Sequence, residues 1–435
     1  MKPSMQSTER QPDAVISLHP ELAGKRLSSM AWQARAEEFD RLVLASDCEL
    51  TSSICLPIRK PVAGTLLGRG QIDGIRAKVD EAGADVVFVD HPLTPVQQRN
   101  LEQAWQAKVV DRTGLILEIF AARARTREGG LQVELASLNY QISRLVRSWT
   151  HLERQRGGFG FLGGPGERQI ELDRRMIRGR IRQIEKDLAG VRRMRATQRA
   201  GRKRKDIPTV ALVGYTNAGK STLFNSLTSS QVYVADQLFA TLDPTLRLLE
   251  LEGGGQVMLS DTVGFVQELP HELVNAFRAT LEEVVEADLI LHVRDAADPQ
   301  IAEQGVVVND TLAQLGLAGD HAPPIVEVWN KVDLAPQVQS HLTPDIAGSR
   351  VAVSALSGQG LDALREALQT WLERGLIELR LRLAVEDGRA LAFCHEQGHV
   401  LSLEQLSGCV EVVVRMHGRD AARFKQKGRL HQFNE

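Results

Sequence analysis

Eight residues, Gly214-Tyr215-Thr216-Asn217-Ala218-Gly219-Lys220-Ser221, constrain this 435-residue chain more than any other stretch, because they spell a phosphate-binding loop. The spacing G-x-x-x-x-G-K-S lets successive backbone N–H groups curl around phosphate oxygens without side-chain clashes. Lys220 is placed to reach the β/γ-phosphates, and the Ser221 hydroxyl can ligate Mg²⁺. The flanks agree with the motif. Val210–Val213 reads as a buried strand before the loop, and Ser221, Thr222 and the residues to Leu227 read as the helix after it. The helix N-terminus adds partial positive charge facing the phosphates.

The loop alone does not say which nucleotide it holds. Downstream, the apolar run Val257–Asp261 ends in Asp261-Thr262-Val263-Gly264, where Asp261 can hold the Mg²⁺ shell and the Gly264 N–H can sense a γ-phosphate. The run Ile325–Trp329 leads into Asn330-Lys331-Val332-Asp333. A carboxylate at Asp333 can accept from N1–H and the exocyclic amine of guanine; adenine offers neither, and the mismatch would leave a charge unpaired. Val351–Ser354 leads to Ser354-Ala355-Leu356, a loop suited to the guanine O6. Each motif is weak by itself. In this order, each at the carboxyl end of an apolar run, they describe a guanine-nucleotide domain.

Between the phosphate loop and Asp261 lies Phe239-Ala240-Thr241-Leu242-Asp243-Pro244-Thr245, where a Mg²⁺-binding switch threonine is needed. Thr241 and Thr245 both qualify chemically, and Thr241 is the preferred candidate. Directly after Gly264, where Ras-like GTPases carry a water-orienting Gln, stands Phe265, which can neither donate nor accept a hydrogen bond. Hydrolysis by the chain alone should be slow and wait for a partner that completes the site. Asn217 admits two readings, as a loop stabiliser or as the asparagine of GTPases that use K⁺ in place of an arginine finger. The expected catalytic set is Lys220, Thr241, Gly264 and Asn217; the expected metal set is Ser221, Thr241 and Asp261.

The formal net charge of −2 conceals an uneven distribution. Residues 167–205 hold fifteen Lys/Arg against five Asp/Glu, a local +10 that leaves −12 on the remainder. Such asymmetry points to a segment facing a polyanion. That segment is half of an expected antiparallel helical hairpin. Leu131, Leu135, Leu138, Ile142, Leu145, Trp149 and Leu152 recur at spacings of three and four, and Ile170, Ile177, Ile181, Ile184, Leu188 and Val191 do much the same. Glu171 and Arg175 at i,i+4 would support the second helix modestly. The glycine-rich stretch Gly157–Gly166 between the helices is either a flexible connector or a finger inserting into folded RNA. Phe159, Phe161, Arg154, Arg156 and Arg168 favour the finger, through stacking and phosphate contact.

The rest of the chain is an ordinary globular mixture, 43% hydrophobic and 25% charged, without a membrane-length apolar run or a signal-peptide core near its N-terminus. Cys48, Cys55, Cys394 and Cys409 lack metal-ligand spacing and read as reduced thiols of a cytoplasmic protein. Strands are expected at 14–18, 86–89 and 108–110, with helices over 30–45, 71–81 and 94–105. Gly68-Arg69-Gly70 reads as a turn before a helix. The alternation of Ile377, Leu379, Leu381, Leu383 and Val385 predicts a half-buried strand, Cys409–Met416 another, and a basic helix follows near 419–427. The fold class is therefore α/β. The expected parts are an N-terminal α/β unit (1–120), the basic hairpin (121–205), a P-loop GTPase domain (206–374) and a small α+β unit (375–435).

With these parts in place, the chain resembles the HflX family of ribosome-associated GTPases nearly end to end. The resemblance rests on Leu93–Glu102 (LTPVQQRNLE), Val110–Phe120 (VDRTGLILEIF), Ala124–Gly129, Trp149–Arg154, Gly164–Glu167, Glu171–Arg175, Phe239–Thr245 and Asp261–Phe265. It implies a bacterial cytoplasmic GTP hydrolase that binds the large (50S) ribosomal subunit and its rRNA. Splitting of stalled ribosomes or subunit maturation would be its task, with the glycine-rich finger approaching the peptidyl transferase centre. It also implies GTP and GDP as ligands, Mg²⁺ as cofactor with K⁺ a second candidate, no stable membrane association, and a monomer. Two positions depart from the pattern. Gln71 stands where Lys is common, which argues against ATP use by the N-terminal unit, and Arg168 stands where Thr is usual. An RNA-remodelling ATPase and a regulator of a membrane protease are the alternative readings.

Overall fold

Short apolar runs alternating with amphipathic helices give parallel sheets, because each crossover helix covers the sheet it leaves. The chain builds two of them. The computed structural model describes residues 14–23, 29–155, 165–204, 207–228, 238–239, 241–252, 255–267, 281–319, 322–336, 350–374, 376–406 and 408–417, with Ala421 and Phe424. Arg156 and residues 157–164 of the glycine-rich stretch, Ala240 and most of the helix expected near 419–427 lie outside them.

The first sheet has the order β2-β1-β3-β4 and is parallel throughout. It comprises β1 (Ala14–Leu22), β2 (Glu49–Ile58), β3 (Val86–Val89) and β4 (Lys108–Asp111). Its helices are α1 (Ser29–Leu44), α2 (Arg69–Ala82), α3 (Pro95–Trp105) and α4 (Arg112–Arg123). β2 and α4 were not anticipated from the sequence. Gly68 opens α2 as expected of a turn, and Gln71 closes it: its Oε1 accepts the Gly68 N–H at 3.0 Å while its Nε2 donates to the Pro57 carbonyl at 3.0 Å.

Two long helices follow, α5 (Arg127–Gln155) and α6 (Pro165–Arg204). Ile184 and Leu188 of the α6 stripe are buried, whereas Leu131, Leu135, Leu138 and Ile142 of α5 are half-buried. The deepest positions of α5 are instead Gln132, Val133 and Ala136, because its root packs against α3 and α4 as well as α6. Glu171 and Arg175 are exposed, and ion pairs cross between the helices: Arg180 to Glu134 at 2.6 Å and Arg195 to Glu128 at 2.7 Å. The side chains of residues 145–170 are not described.

The second parallel sheet has the order β10-β9-β8-β5-β7-β6, only β6 running antiparallel. Its strands are β5 (Thr209–Gly214), β6 (Thr245–Glu250), β7 (Gln256–Asp261), β8 (Leu289–Asp295), β9 (Ile325–Asn330) and β10 (Arg350–Ala352). Helices α7 (Lys220–Thr228), α8 (Glu282–Val285), α9 (Ile301–Gln314) and α10 (Leu361–Glu373) accompany it. Every residue of β5 is buried, as a central strand demands. One apolar cluster runs from Val15 and Phe88 in the first sheet through Phe120 of α4 to Phe239 and Phe265 beside the second.

The last sheet, β11 (Leu376–Ala384), β12 (Gly398–Leu406) and β13 (Cys409–His417), is antiparallel in the order β11-β13-β12, with α11 (Gly388–Gln397) against one face. Leu381 and Leu383 are buried on that face, but Ile377 is 40% exposed and Val385, beyond the strand end, 52%. The expected alternation is real, and only its middle is covered. Together these units are an α/β architecture with a P-loop GTPase fold, an antiparallel helical hairpin and a small C-terminal sheet. Among the described residues no helix is long and apolar enough to cross a membrane.

Candidate nucleotide site

The turn after β5 must reverse a buried strand into α7 while aiming amides outward, which forces unusual backbone at two residues. Asn217 and Gly219 adopt left-handed conformations, at φ +59° and +87°. A side chain at Gly219 would overlap the amide of Asn330, so glycine is needed there for space as well as for φ. Asparagine is among the few residues that accept this region readily. Its loop-stabilising reading at 217 thus has a direct physical basis.

The loop borders a cavity of about 350 Å³. Thr216, Asn217, Gly219, Lys220, Ser221, Thr222, Phe239, Thr241, Thr262, Gly264, Asn330, Lys331, Asp333, Ala355 and Leu356 line it. Leu334, not singled out from the sequence, also lines it and is 67% exposed at the rim. Gly214, Tyr215, Ala218, Asp261, Val263, Val332 and Ser354 are buried behind this wall. Ala240 lies outside the described residues.

Asn330 is the strut of the base-facing end. Only 1% exposed, it donates through Nδ2 to the Ala218 carbonyl at 2.9 Å and accepts the Ala355 N–H on Oδ1 at 2.9 Å. It therefore ties the phosphate loop to the 354–356 loop. Lys331 adopts φ +62°, and its ammonium meets Asp295 at 2.7 Å. Asp333 and Leu356 are exposed at the cavity wall, where a base can reach them.

At the phosphate end three hard oxygen donors converge. Ser221 Oγ donates to Asp261 Oδ2 at 2.6 Å and lies 2.7 Å from Thr241 Oγ1. Thr245 does not join them; it opens β6, in register opposite Asp261. Asp261 Oδ1 is buried without a hydrogen-bond partner, and burial pushes this carboxyl above its usual range, with Ser221 and Lys220 opposing. A buried carboxylate oxygen beside two hydroxyls is the donor set expected of a Mg²⁺ site, so the residues fit that ion. Lys220 Nζ donates to the carbonyls of Gly214 at 3.2 Å and Tyr215 at 2.7 Å. Its full burial lowers the ammonium to about 8, against the pull of Asp261.

Phe265 faces away from this chemistry. It is 1% exposed, its backbone exchanges hydrogen bonds with Gly214 and Thr216, and its ring belongs to the shared apolar cluster. No side chain immediately after Gly264 is thus available to orient water.

Beneath the loop lies a polar network that sequence reasoning missed. Arg112, 2% exposed, donates to Asp90 at 2.9 Å, to Glu38 at 2.6 Å and to the Gln267 carbonyl at 3.0 Å. The only local signal was a charged pair, Asp111-Arg112, between the apolar end of β4 and the apolar stretch of α4.

Three family descriptions match the chain: GTP-binding GTPase N-terminal over residues 33–121, GTP-binding GTPase middle region over 123–202, and 50S ribosome-binding GTPase over 209–331. GTPase HflX of Magnetococcus marinus is 48% identical over 415 residues, covering 95% of this chain and 94% of that protein. GTPase HflX of Escherichia coli is 46% identical over 383 residues, covering 87% and 89%. Among solved structures, a GTP-binding protein from Sulfolobus solfataricus in complex with GDP is 23% identical, with 83% of this chain and 99% of that chain covered and a TM-score of 0.43.

Proposed function

This chain belongs to the HflX family of GTPases and is a GTP hydrolase, and from that premise we propose that it uses GTP as a conformational switch on the large ribosomal subunit. The observation that carries the proposal is Phe265, buried in the shared core where a water-orienting side chain would otherwise stand. A site lacking that group turns over slowly until a partner supplies it. The +10 hairpin segment supplies an electrostatic reason for that partner to be RNA-rich. Splitting of stalled ribosomes or large-subunit maturation in the cytoplasm is the task this reading assigns. The working division is 1–120, 121–205, 206–374 and 375–435.

In this reading the loop amides and Lys220 stabilise charge on the transferring phosphoryl group. Ser221, Thr241 and Asp261 would hold Mg²⁺, which when bound neutralises charge on the β- and γ-phosphate oxygens. The Gly264 N–H reports the γ-phosphate, and Asp333, supported by Asn330, selects guanine. Among the described residues that line the cavity, no side chain is placed as a general base, and in this reading water is oriented by backbone and by the partner.

The test is GTP hydrolysis with and without purified large ribosomal subunits, in K⁺ and in Na⁺ buffers. Strong stimulation by the subunits is expected. A rate in K⁺ well above that in Na⁺ would assign Asn217 an ionic role beyond loop geometry. Unchanged slow turnover on saturating subunits would sink the ribosome-activated switch and bring a protease-regulator role forward.

A further inference from the structure

The switch segment is gripped on both sides of Thr241. Before it, Phe239, held at φ +58°, packs edge-on against Phe120 of α4 with ring centroids 4.6 Å apart. After it, Asp243 reaches the two residues that lead into α5. Its Oδ2 accepts the N–H groups of Arg125 at 3.0 Å and Thr126 at 2.9 Å, and its Oδ1 accepts the Thr126 hydroxyl at 2.5 Å. Thr126 Oγ1 in turn accepts the Gly129 N–H at 2.9 Å. Asp243 therefore extends the cap of a 29-residue helix, at the end where orphan N–H groups and the helix dipole favour a carboxylate. Any side chain at Gly129 would overlap Oδ1 of Asp243. The same turn is tied to α6 by the Glu128–Arg195 pair.

Thr241 lies two residues from each clamp, with its hydroxyl 2.7 Å from that of Ser221. Two residues of chain span at most about 7 Å, too short to absorb a shift of its anchor. A helix as long as α5 extends about 40 Å, so force at its far end pivots about this root. Misplacement by about 1 Å at a reacting centre can lower a rate about a hundredfold.

We propose that Asp243 is a positioning residue for GTP hydrolysis: by gripping the root of the hairpin it seats Thr241 at the nucleotide and passes movement of the hairpin to that threonine. The proposal rests on the reading of Thr241 as the switch threonine. It assigns the hairpin a second duty, setting the active site as well as contacting polyanion.

The test uses the full chain carrying Asp243→Ala, Thr126→Ala, both together, Asp243→Asn or Thr241→Ala, each studied well below its melting temperature. Affinity for fluorescent GDP and for a fluorescent non-hydrolysable GTP analogue is measured beside hydrolysis with and without large ribosomal subunits. Asp243→Ala should weaken the analogue at least fivefold, leave GDP within twofold, and lower the hydrolysis rate tenfold or more. Thr126→Ala should act in the same direction, the double variant being no worse than the stronger single one. Asp243→Asn, which keeps an acceptor for the two N–H groups, should recover most of the loss. Wild-type analogue affinity and turnover in Asp243→Ala, beside a Thr241→Ala variant that has lost both, would reduce the clamp to a helix cap and overturn the proposal. A Thr241→Ala variant indistinguishable from wild type would overturn the threonine's role and the proposal with it. Absent stimulation of the wild-type chain by the subunits would count against the ribosomal reading alone, with the analogue affinities still deciding the role of Asp243.

Discussion

The phenol of Tyr215, in the phosphate loop, donates a hydrogen bond to Glu38 of α1, joining the nucleotide site to the N-terminal α/β unit through a buried ring and a half-buried carboxylate. Glu38 also receives Arg112, and the Tyr215 oxygen accepts the Gln267 N–H at 3.0 Å. Burial, and then the charge of Glu38, hold the phenol well above its usual range, so it remains a donor at any pH the protein meets. The phosphate loop, the segment after Gly264 and the first sheet therefore share one polar clasp.

Breaking that clasp should destabilise the whole chain. Arg112→Met removes the guanidinium from between Asp90 and Glu38, leaving the buried Asp90 with Arg35 as its remaining cation and taking the Arg112 ion pair from the half-buried Glu38. Loss of one partner of a buried ion pair typically costs about 3–5 kcal/mol. Tyr215→Phe leaves the Gln267 N–H without its acceptor and should cost about 1–3 kcal/mol. Urea unfolding of each variant measures both, and a change below about 0.5 kcal/mol in Arg112→Met would contradict the clasp.

The same network predicts a pH dependence. His19, 2% exposed on β1, faces Asp40 of α1 at 3.0 Å, Asp90 at 4.0 Å, Ser53 of β2 at 3.1 Å and Ser17 at 3.2 Å. Arg35 and Arg112 lie beyond Asp90. Burial works to lower the imidazole, but the Asp40 and Asp90 carboxylates outweigh it and the net shift is upward. A group raised on folding contributes fully below its unfolded value, about 6.5, and loses that contribution as pH climbs through the folded value. Stability attributable to His19 should thus be fully present below about pH 6.5 and decline as pH rises above that value. His19→Gln should flatten that slope in unfolding curves taken across the range.

These contacts mark where the sequence stopped being legible. The phosphate loop, Asp261–Gly264 and Asn330–Asp333 could be read because each motif is contiguous and follows its own strand. The clasp could not, since Tyr215 and Glu38 are 177 residues apart and Asp243 and Thr126 are 117 apart. Edge strand β2 escaped notice for a different reason: it buries only Ile54 and Ile58 fully, so its pattern is too shallow to separate from loop. In α5 the heptad stripe marked positions that, where described, are half-buried: Leu131, Leu135, Leu138 and Ile142. It said nothing of the second face, where Val133 and Ala136 meet the first sheet's helices.

Phe265 gives a prediction opposite to simple analogy. Restoring a glutamine, Phe265→Gln, should fail to accelerate hydrolysis, because the side chain at this position enters the apolar cluster and not the cavity. The substitution removes a buried ring and leaves a primary amide in that apolar cluster. A loss of about 3–5 kcal/mol is expected from the ring alone, with the unpaired amide adding to it. Single-turnover hydrolysis and thermal unfolding of the variant check both halves, and a faster folded enzyme would refute the placement of the ring.

In the proposed function guanine selection falls to Asp333, which presents a carboxylate at the cavity wall while Asn330, itself buried, is committed to Ala218 and Ala355. Division of labour follows from that geometry. Asn330→Ala should weaken every nucleotide, because it releases the phosphate loop from the 354–356 loop whatever base is bound. Asp333→Asn should act on the base alone. Two charge-assisted acceptor contacts to guanine become one neutral acceptor and one donor, and the donor opposes the exocyclic amine. At about 1.5–3 kcal/mol for a hydrogen bond to a charged group, GTP affinity should fall by about one to two orders of magnitude. Xanthine carries a carbonyl where guanine has that amine, so the new amide can donate to it, and xanthosine triphosphate should gain by a similar factor. Competition of GTP, ATP and xanthosine triphosphate for the two variants distinguishes the roles. A base-independent loss in Asp333→Asn would mean that the residue shapes the loop and does not read the base.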